Sequence, residues 1–176
     1  RKTSIRIIIR SIALHNIRDD GTHDDVCKMK IVPFETWHFD HIKLSGPEQK
    51  MINNYGKTWP NLLNALKYNG ATFSWFDRPD VVGICGIMPY WNGVGEAYMF
   101  LSEKFKKNKI RCIKDIRYYL NMIANEFKFH RVDCHVIKEF ENAIKFAKYL
   151  GFEEEAVLKK FGPNKEDYVK LVRFYE

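Results

Sequence analysis

No apolar run in this 176-residue chain approaches the ~20 residues that a membrane-spanning helix requires. The greasiest early stretch, residues 6–14 (RIIIRSIAL), is too short and is interrupted by Arg10. Neither a membrane partner nor a secretory leader is expected from it. No repeat, low-complexity segment or internal linker breaks the pattern, so one domain with a proper core is expected. The four cysteines, Cys27, Cys85, Cys112 and Cys134, are far apart and form no CxxC pair. Three of them sit inside apolar segments, and all read as reduced residues of an intracellular, cytoplasmic protein. His38 and His41 have helical spacing, but no acidic or cysteine ligand set accompanies them, so no metal site is expected.

Positive charge is in excess. The formal net charge is +7 and the pI near 9.2, which favours anionic partners such as phosphate-bearing cofactors. Aromatic and basic residues interleave at Trp75-Phe76-Asp77-Arg78 and at Arg117-Tyr118-Tyr119. Such mixtures can stack single-stranded bases, but no nucleic-acid-binding motif accompanies them. Nucleic acid is therefore not the expected partner.

The region from residue 96 to 174 carries the clearest order. Residues 96–102 (EAYMFLS) form a short apolar and aromatic strand. Residues 109–127 place Ile110, Ile113, Ile116, Leu120, Ile123 and Phe127 at steps of three and four, one buried helix face. Val132, Cys134 and Val136 then alternate with Arg131, Asp133 and His135, the period of a half-buried strand. Residues 141–150 return to helix period through Ile144, Ala147 and Leu150 and stop at Gly151. Residues 152–160 and 168–175 read as strands around the turn Phe161-Gly162-Pro163-Asn164. Strand–helix–strand units imply parallel strands, and such folds bind ligands at the carboxyl ends of their strands.

Upstream, residues 30–33 read as a first strand. Residues 35–44 and 47–66 carry helical signals, with Pro47 in a first turn and Pro60 splitting the second segment. Asn69-Gly70 marks a turn. Residues 72–76 and 81–88 read as a hairpin, and residues 89–95 as a tight connection into Glu96. Residues 1–28 look unlike the rest: a short basic β-branched run, then the polar loop Asp19-Asp20-Gly21-Thr22-His23-Asp24-Asp25. The expectation is an N-terminal extension over 1–28 and a core domain over 29–176.

This order of elements, with HVIKEFENAIKFAKYLGFEEEAVLKKFGPNKEDYV at 135–169, resembles the GNAT N-acetyltransferase superfamily over about residues 29–175. The tail looks like the closing helix of that family, ending in LGF, followed by its hairpin. It is also similar to the GNAT-like internal virion protein A family of short-tailed phages. The resemblance implies an α/β (α+β) fold with a mixed, mostly antiparallel sheet flanked by helices. It implies acetyl-CoA as cofactor and an amine, on a small molecule or a protein, as acceptor. The family holds the coenzyme pyrophosphate with backbone N–H groups in a glycine loop where the central strand enters the long helix. Glycine permits the close approach of phosphate to backbone. The matching residues are Lys106, Lys107, Asn108, Lys109, Ile110 and Arg111, with Lys109 and Arg111 at the two glycine positions.

Two readings follow from that departure. In one, Lys106, Lys107, Asn108, Lys109 and Arg111 hold the phosphates, largely through side chains. The backbone of Met99, Phe100 and Leu101 pairs with pantetheine, and Asn142 contacts the cofactor from the start of the last helix. Glu96 is then the base that deprotonates the amine. The family's usual tyrosine acid falls on Ala147, so Tyr98 and Tyr168 are the candidate substitutes for it. In the other reading the domain has lost its cofactor and serves as a phage structural or virion-associated protein, found in the host cytoplasm or the virion with other virion proteins as partners.

Overall fold

The computed structural model describes residues 30–44, 46–77 and 79–176, with backbone alone at 47 and 106–112. The expected extension over 1–28 lies outside the described residues, as does Met29. Strands β1 (Lys30–Pro33), β2 (Ala71–Asp77), β3 (Asp80–Trp91), β4 (Val94–Leu101), β5 (Arg131–Ile137), β6 (Glu153–Leu158) and β7 (Tyr168–Phe174) form one sheet in the order β1-β2-β3-β4-β5-β7-β6. The architecture is α/β, a mostly antiparallel seven-stranded sheet flanked by helices α1 (Gly46–Tyr55), α2 (Trp59–Tyr68), α3 (Lys109–Glu126) and α4 (Glu141–Tyr149). The chain divides into two compact units, residues 1–86 with 99–108 and residues 87–98 with 109–176.

In the first unit β2 and the part of β3 up to Gly86 are near-continuous apolar runs, buried along most of their length, as expected of strands covered on both faces. Trp75, Val81, Val82 and Ile84 are almost fully excluded from solvent. Phe39 packs edge-on against Trp59 at 4.8 Å and Phe100 at 4.9 Å, a geometry that aromatic quadrupoles favour. The helical signal over 35–44 is realised only as a 3₁₀ segment, Thr36–His41. Its turn is closed by reciprocal bonds between Glu35 and His38, and by the backbone N–H of His38 to the carbonyl of Glu35. Pro47 falls in the first turn of α1 and Pro60 in that of α2, where no N–H is missed. The break between the helices is a 3₁₀ turn, Gly56–Thr58.

His38 is 2% exposed. The backbone N–H of Glu35 donates to its Nδ1 at 3.1 Å, and Ser74 Oγ lies 2.9 Å from the same atom. Nδ1 is thus an acceptor and the neutral ring carries its proton on Nε2. Burial lowers the imidazole from 6.5 to about 4, because a charged ring would lose its hydration and Nδ1 would face a donor. Above pH 6.5 the ring is neutral folded and unfolded. As pH falls towards 4 the unfolded chain binds a proton that the fold refuses. Stability should therefore drop across that window by about 3 kcal/mol. In His38→Asn, which keeps an acceptor but cannot titrate, urea midpoints between pH 7 and pH 4 should lose most of that dependence.

In the second unit β5 is the organising strand. It pairs antiparallel with β7 along its whole length, from Arg131 opposite Phe174 to Ile137 opposite Tyr168. On its other side it pairs parallel with β4 from Val94–Arg131 to Glu96–Asp133. Alternation sends Val132, Cys134 and Leu171 to one face, all buried. Arg173 shares that face and bonds Asn121 of α3 at 2.7 Å and the carbonyl of Leu150, just past α4, at 2.8 Å. Ile116, Leu120, Ile123, Ile144 and Ala147 cover the apolar side, as the helix periods of α3 and α4 predict.

One boundary is corrected. The connection expected over 89–95 is only Asn92-Gly93, because Pro89, Tyr90 and Trp91 continue β3 and Val94 already opens β4. Proline costs a strand only the bond its missing N–H would donate, so a single Pro89 does not end the pairing. Gly93 takes φ +79°, and a Cβ there would meet the His130 ring at 2.3 Å. The turn therefore has no room for a side chain.

Candidate functional site

The opposite face of β5 carries Arg131, Asp133 and His135, and the register brings Glu96 of β4 and Lys170 of β7 beside them. Glu96 is the third residue of β4 rather than its first. Its side chain is 30% exposed and that of His135 is 16% exposed. Tyr90, from the end of β3, donates its hydroxyl to Glu96 Oε2. His135 Nδ1 lies 2.6 Å from Glu96 Oε1. The His135 ring stacks on Phe161, centroids 5.4 Å apart and 24° between planes. Phe161 in turn meets Tyr168 edge-on at 5.4 Å. Two catalytic candidates of the sequence, Glu96 and Tyr168, are thus joined through His135 and Phe161. Gly162 supports this chain of rings, since a Cβ there would approach Tyr168 to 2.9 Å.

Beside this cluster lies an ion network. Asp133, 5% exposed, accepts from Arg131 Nε at 2.7 Å and from Lys170 Nζ at 3.1 Å. Glu155 closes it, 2.5 Å from Arg131 and 3.3 Å from Lys170. The Arg131 guanidinium holds the Glu155 carboxyl down at about 2, with Lys170 assisting. Burial alone would lower the Lys170 ammonium, but Asp133 and Glu155 outweigh it and hold it above its ordinary value. Burial drives the Cys134 thiol up to about 12, reinforced by the charges of Glu96 and Asp133. Cys134 and Cys85 are free and buried, inert thiols rather than nucleophiles.

The expected cofactor residues fall on four elements. Met99, Phe100 and Leu101 end β4. Phe100 is buried in the first unit's aromatic cluster, while Met99 and Leu101 are half-buried. Lys106, Lys107 and Asn108 end the 3₁₀ segment Glu103–Asn108, and Lys109 and Arg111 lie in the first turn of α3. The side chains from 106 to 112 lie outside the described residues. Asn142 is exposed in the first turn of α4. Ser102, directly after β4, offers a test of fit for a polar ligand. Its hydroxyl is buried and has no hydrogen-bond partner among the described residues, while its backbone N–H is spent on the carbonyl of Val82 at 2.9 Å. A buried hydroxyl still short of a partner is a polar group that a ligand's phosphate or amide oxygen would satisfy. Among the described residues no group of His, Cys, Asp and Glu could hold a metal ion, and no helix is long and apolar enough to cross a membrane.

His135 and Tyr90 were not legible as partners of Glu96. The one sequence signal was phase: His135 stands two residues beyond Asp133 and so shares its face. Choosing Glu96 as the neighbour required the parallel register of β4 and β5.

Comparison with known proteins places the fold. No family model matches the chain, and no curated protein matches it in sequence. Solved structures do. An acetyltransferase of the GNAT family from Bacillus anthracis is similar with a TM-score of 0.63 at 16% identity, covering 83% of this chain and 94% of that one. A ribosomal-protein-S5-alanine acetyltransferase from Vibrio fischeri gives a TM-score of 0.60 at 14% identity, over 83% and 92%. A variant of the spermidine N-acetyltransferase of Vibrio cholerae gives 0.58 at 14%, over 82% and 94%. The fold is that of GNAT acetyltransferases.

Proposed function

We propose that this chain is an acyl-CoA-dependent N-acetyltransferase that acetylates an amine by direct attack. The observation that carries the reading is Glu96, a carboxylate on an inner strand of this fold, gripped at both oxygens by Tyr90 and His135. Bound acetyl-CoA would supply the thioester whose acetyl carbon the amine attacks. Residues of the chain do the rest. The backbone of Met99, Phe100 and Leu101 pairs with pantetheine. Lys106, Lys107, Asn108, Lys109 and Arg111, with the helix dipole of α3, neutralise the phosphates in place of a glycine loop. Asn142 steadies the cofactor from α4. The cluster centred on Glu96 draws the proton from the amine, and Tyr168 returns one to the departing sulfur. The acceptors named for neighbouring structures, spermidine and a ribosomal protein's alanine, support an amine acceptor here.

Calorimetric titration of acetyl-CoA and coenzyme A, at low and moderate salt, tests the binding half. Micromolar affinity that Lys109→Glu or Arg111→Glu abolishes is the expected result. No binding at millimolar ligand by the folded protein would overturn the reading and favour a domain that keeps the fold without the reaction. For the chemical half, Glu96→Gln should lower turnover by about 100-fold or more while acetyl-CoA affinity holds. Equal loss of both would contradict its role.

A further inference from the structure

A carboxylate only accepts hydrogen bonds. Glu96 takes the Tyr90 hydroxyl on Oε2 and faces His135 Nδ1 at 2.6 Å on Oε1. Nδ1 therefore carries a proton and donates it to Glu96. That assignment fixes the rest of the ring: a neutral His135 must keep its lone pair on Nε2. Among the described residues no hydrogen-bond partner reaches Nε2. Phe161 stacked on the imidazole blocks one face and holds the ring plane. A carboxylate that sets the tautomer of an imidazole, leaving the far nitrogen open, is the arrangement that makes a histidine a general base. Meanwhile both oxygens of Glu96 are already engaged, which weakens the carboxylate as a direct acceptor.

Resting on the acetyltransferase reading, we propose that His135 Nε2 accepts the proton of the attacking amine, and that Glu96 is the positioning residue that orients the ring and steadies its charged form. The step balances without further reagents. The amine's N–C bond forms as the thioester's C–S bond breaks. The proton of the nitrogen passes to Nε2, the sulfur leaves with the bond's electron pair and takes up a proton, and His135 returns its own to solvent. Tyr90 keeps the second oxygen of Glu96 occupied, so that the carboxylate holds one orientation.

Two readouts on the full chain test this. Long-range ¹H–¹⁵N correlation spectra of the protein, at a pH where the His135 ring is neutral, should show the proton on Nδ1. In Glu96→Ala the same ring should revert to the Nε2–H form that free histidine prefers. A wild-type ring protonated on Nε2 would overturn the proposal, whatever the activity. In the second arm, acetyl-CoA and spermidine serve as the probe pair. His135→Asn should lower turnover by about 100-fold or more with the KM for acetyl-CoA within about 3-fold of wild type. Unchanged turnover in His135→Asn overturns the proposal alone. The expected tautomer in a wild-type protein that transfers no acetyl group to a panel of primary amines overturns the acetyltransferase reading, and the base with it. Phe161→Ala should fold and keep the tautomer, yet lose part of the turnover through a looser ring.

Discussion

Replacing Asp133 by alanine should destabilise the second unit by about 3 kcal/mol, the usual cost of removing one member of a buried ion pair. The reason is accounting of charge rather than loss of attraction. Asp133 is 5% exposed and serves Arg131 on one oxygen and Lys170 on the other. Both cations sit on half-buried strand positions, with side chains 22% and 25% exposed. Without Asp133 they would keep only Glu155, which stands at the more open end of the network. Two charges would then share one solvated carboxylate in a partly dry setting. Glu155→Ala should cost far less, since exposed pairs are worth little. Thermal unfolding should fall by on the order of 10 °C in Asp133→Ala, and a double-mutant cycle with Lys170→Met should show strong coupling. An Asp133→Ala protein as stable as wild type would mean the network is ornamental.

How much of this could be read in the sequence depends on how local the determinant is. Strand β5 was legible as an element, because its alternation of Val132 and Cys134 with charged neighbours depends only on the pleat, although Asp133 on the charged face is buried as well. The helix face of α3 was legible for the same reason, and Ile116, Leu120 and Ile123 are buried as its period requires. Strand β1 fell where its β-branched run placed it. Errors arose where a residue's usual habit met a tertiary context. Pro89 reads as a breaker, yet β3 runs through it to Trp91. Residues 35–44 alternate like a helix but close only one 3₁₀ segment, because His38 is drawn down to Ser74 of β2.

The site divides in the same way. Glu96 and Tyr168 were singled out as candidates from position along the chain. Their connection could not, since His135 comes 39 residues after Glu96 and meets it only through the parallel pairing of β4 and β5. The network of Asp133 with Lys170 is likewise a product of register, in which Lys170 stands opposite His135. Charged residues alternating with valines announce a half-buried strand, but not which charges will be neighbours. Long-range partners of this kind are set by which strands lie side by side, and nothing in a strand's own period records that.

Gly95→Ala should be the second severe lesion, and it links packing to chemistry. Gly95 is buried beside Val132 in the parallel register, one residue before Glu96. A Cβ there would stand 2.6 Å from Ile87 Cγ2, 3.1 Å from the Met88 carbonyl oxygen and 3.1 Å from Phe129 Cε1. Two opposing effects compete. Alanine lowers the entropy of the unfolded chain, a gain of about 0.4–1 kcal/mol where the backbone can accept it. Against this, Ile87 is fully buried and branched at the contact, and the Met88 oxygen belongs to the facing strand, so neither can swing aside. Overpacking of this kind costs about 1–3 kcal/mol, and it should prevail. Denaturant melts should show a net loss, and the double variant with Ile87→Ala should lose less than the sum of the two single variants, because the struck methyl group is gone. The consequence reaches the site because strands β3 and β4 carry Tyr90 and Glu96 on either side of this contact. Pushing them apart at Gly95 should loosen the grip of Tyr90 on Oε2 and with it the orientation of Glu96. The Nδ1–H form of His135 should then weaken in Gly95→Ala and recover in the double variant. A melt that falls while the His135 tautomer stays fixed would show instead that the strand absorbs the strain before it reaches Glu96.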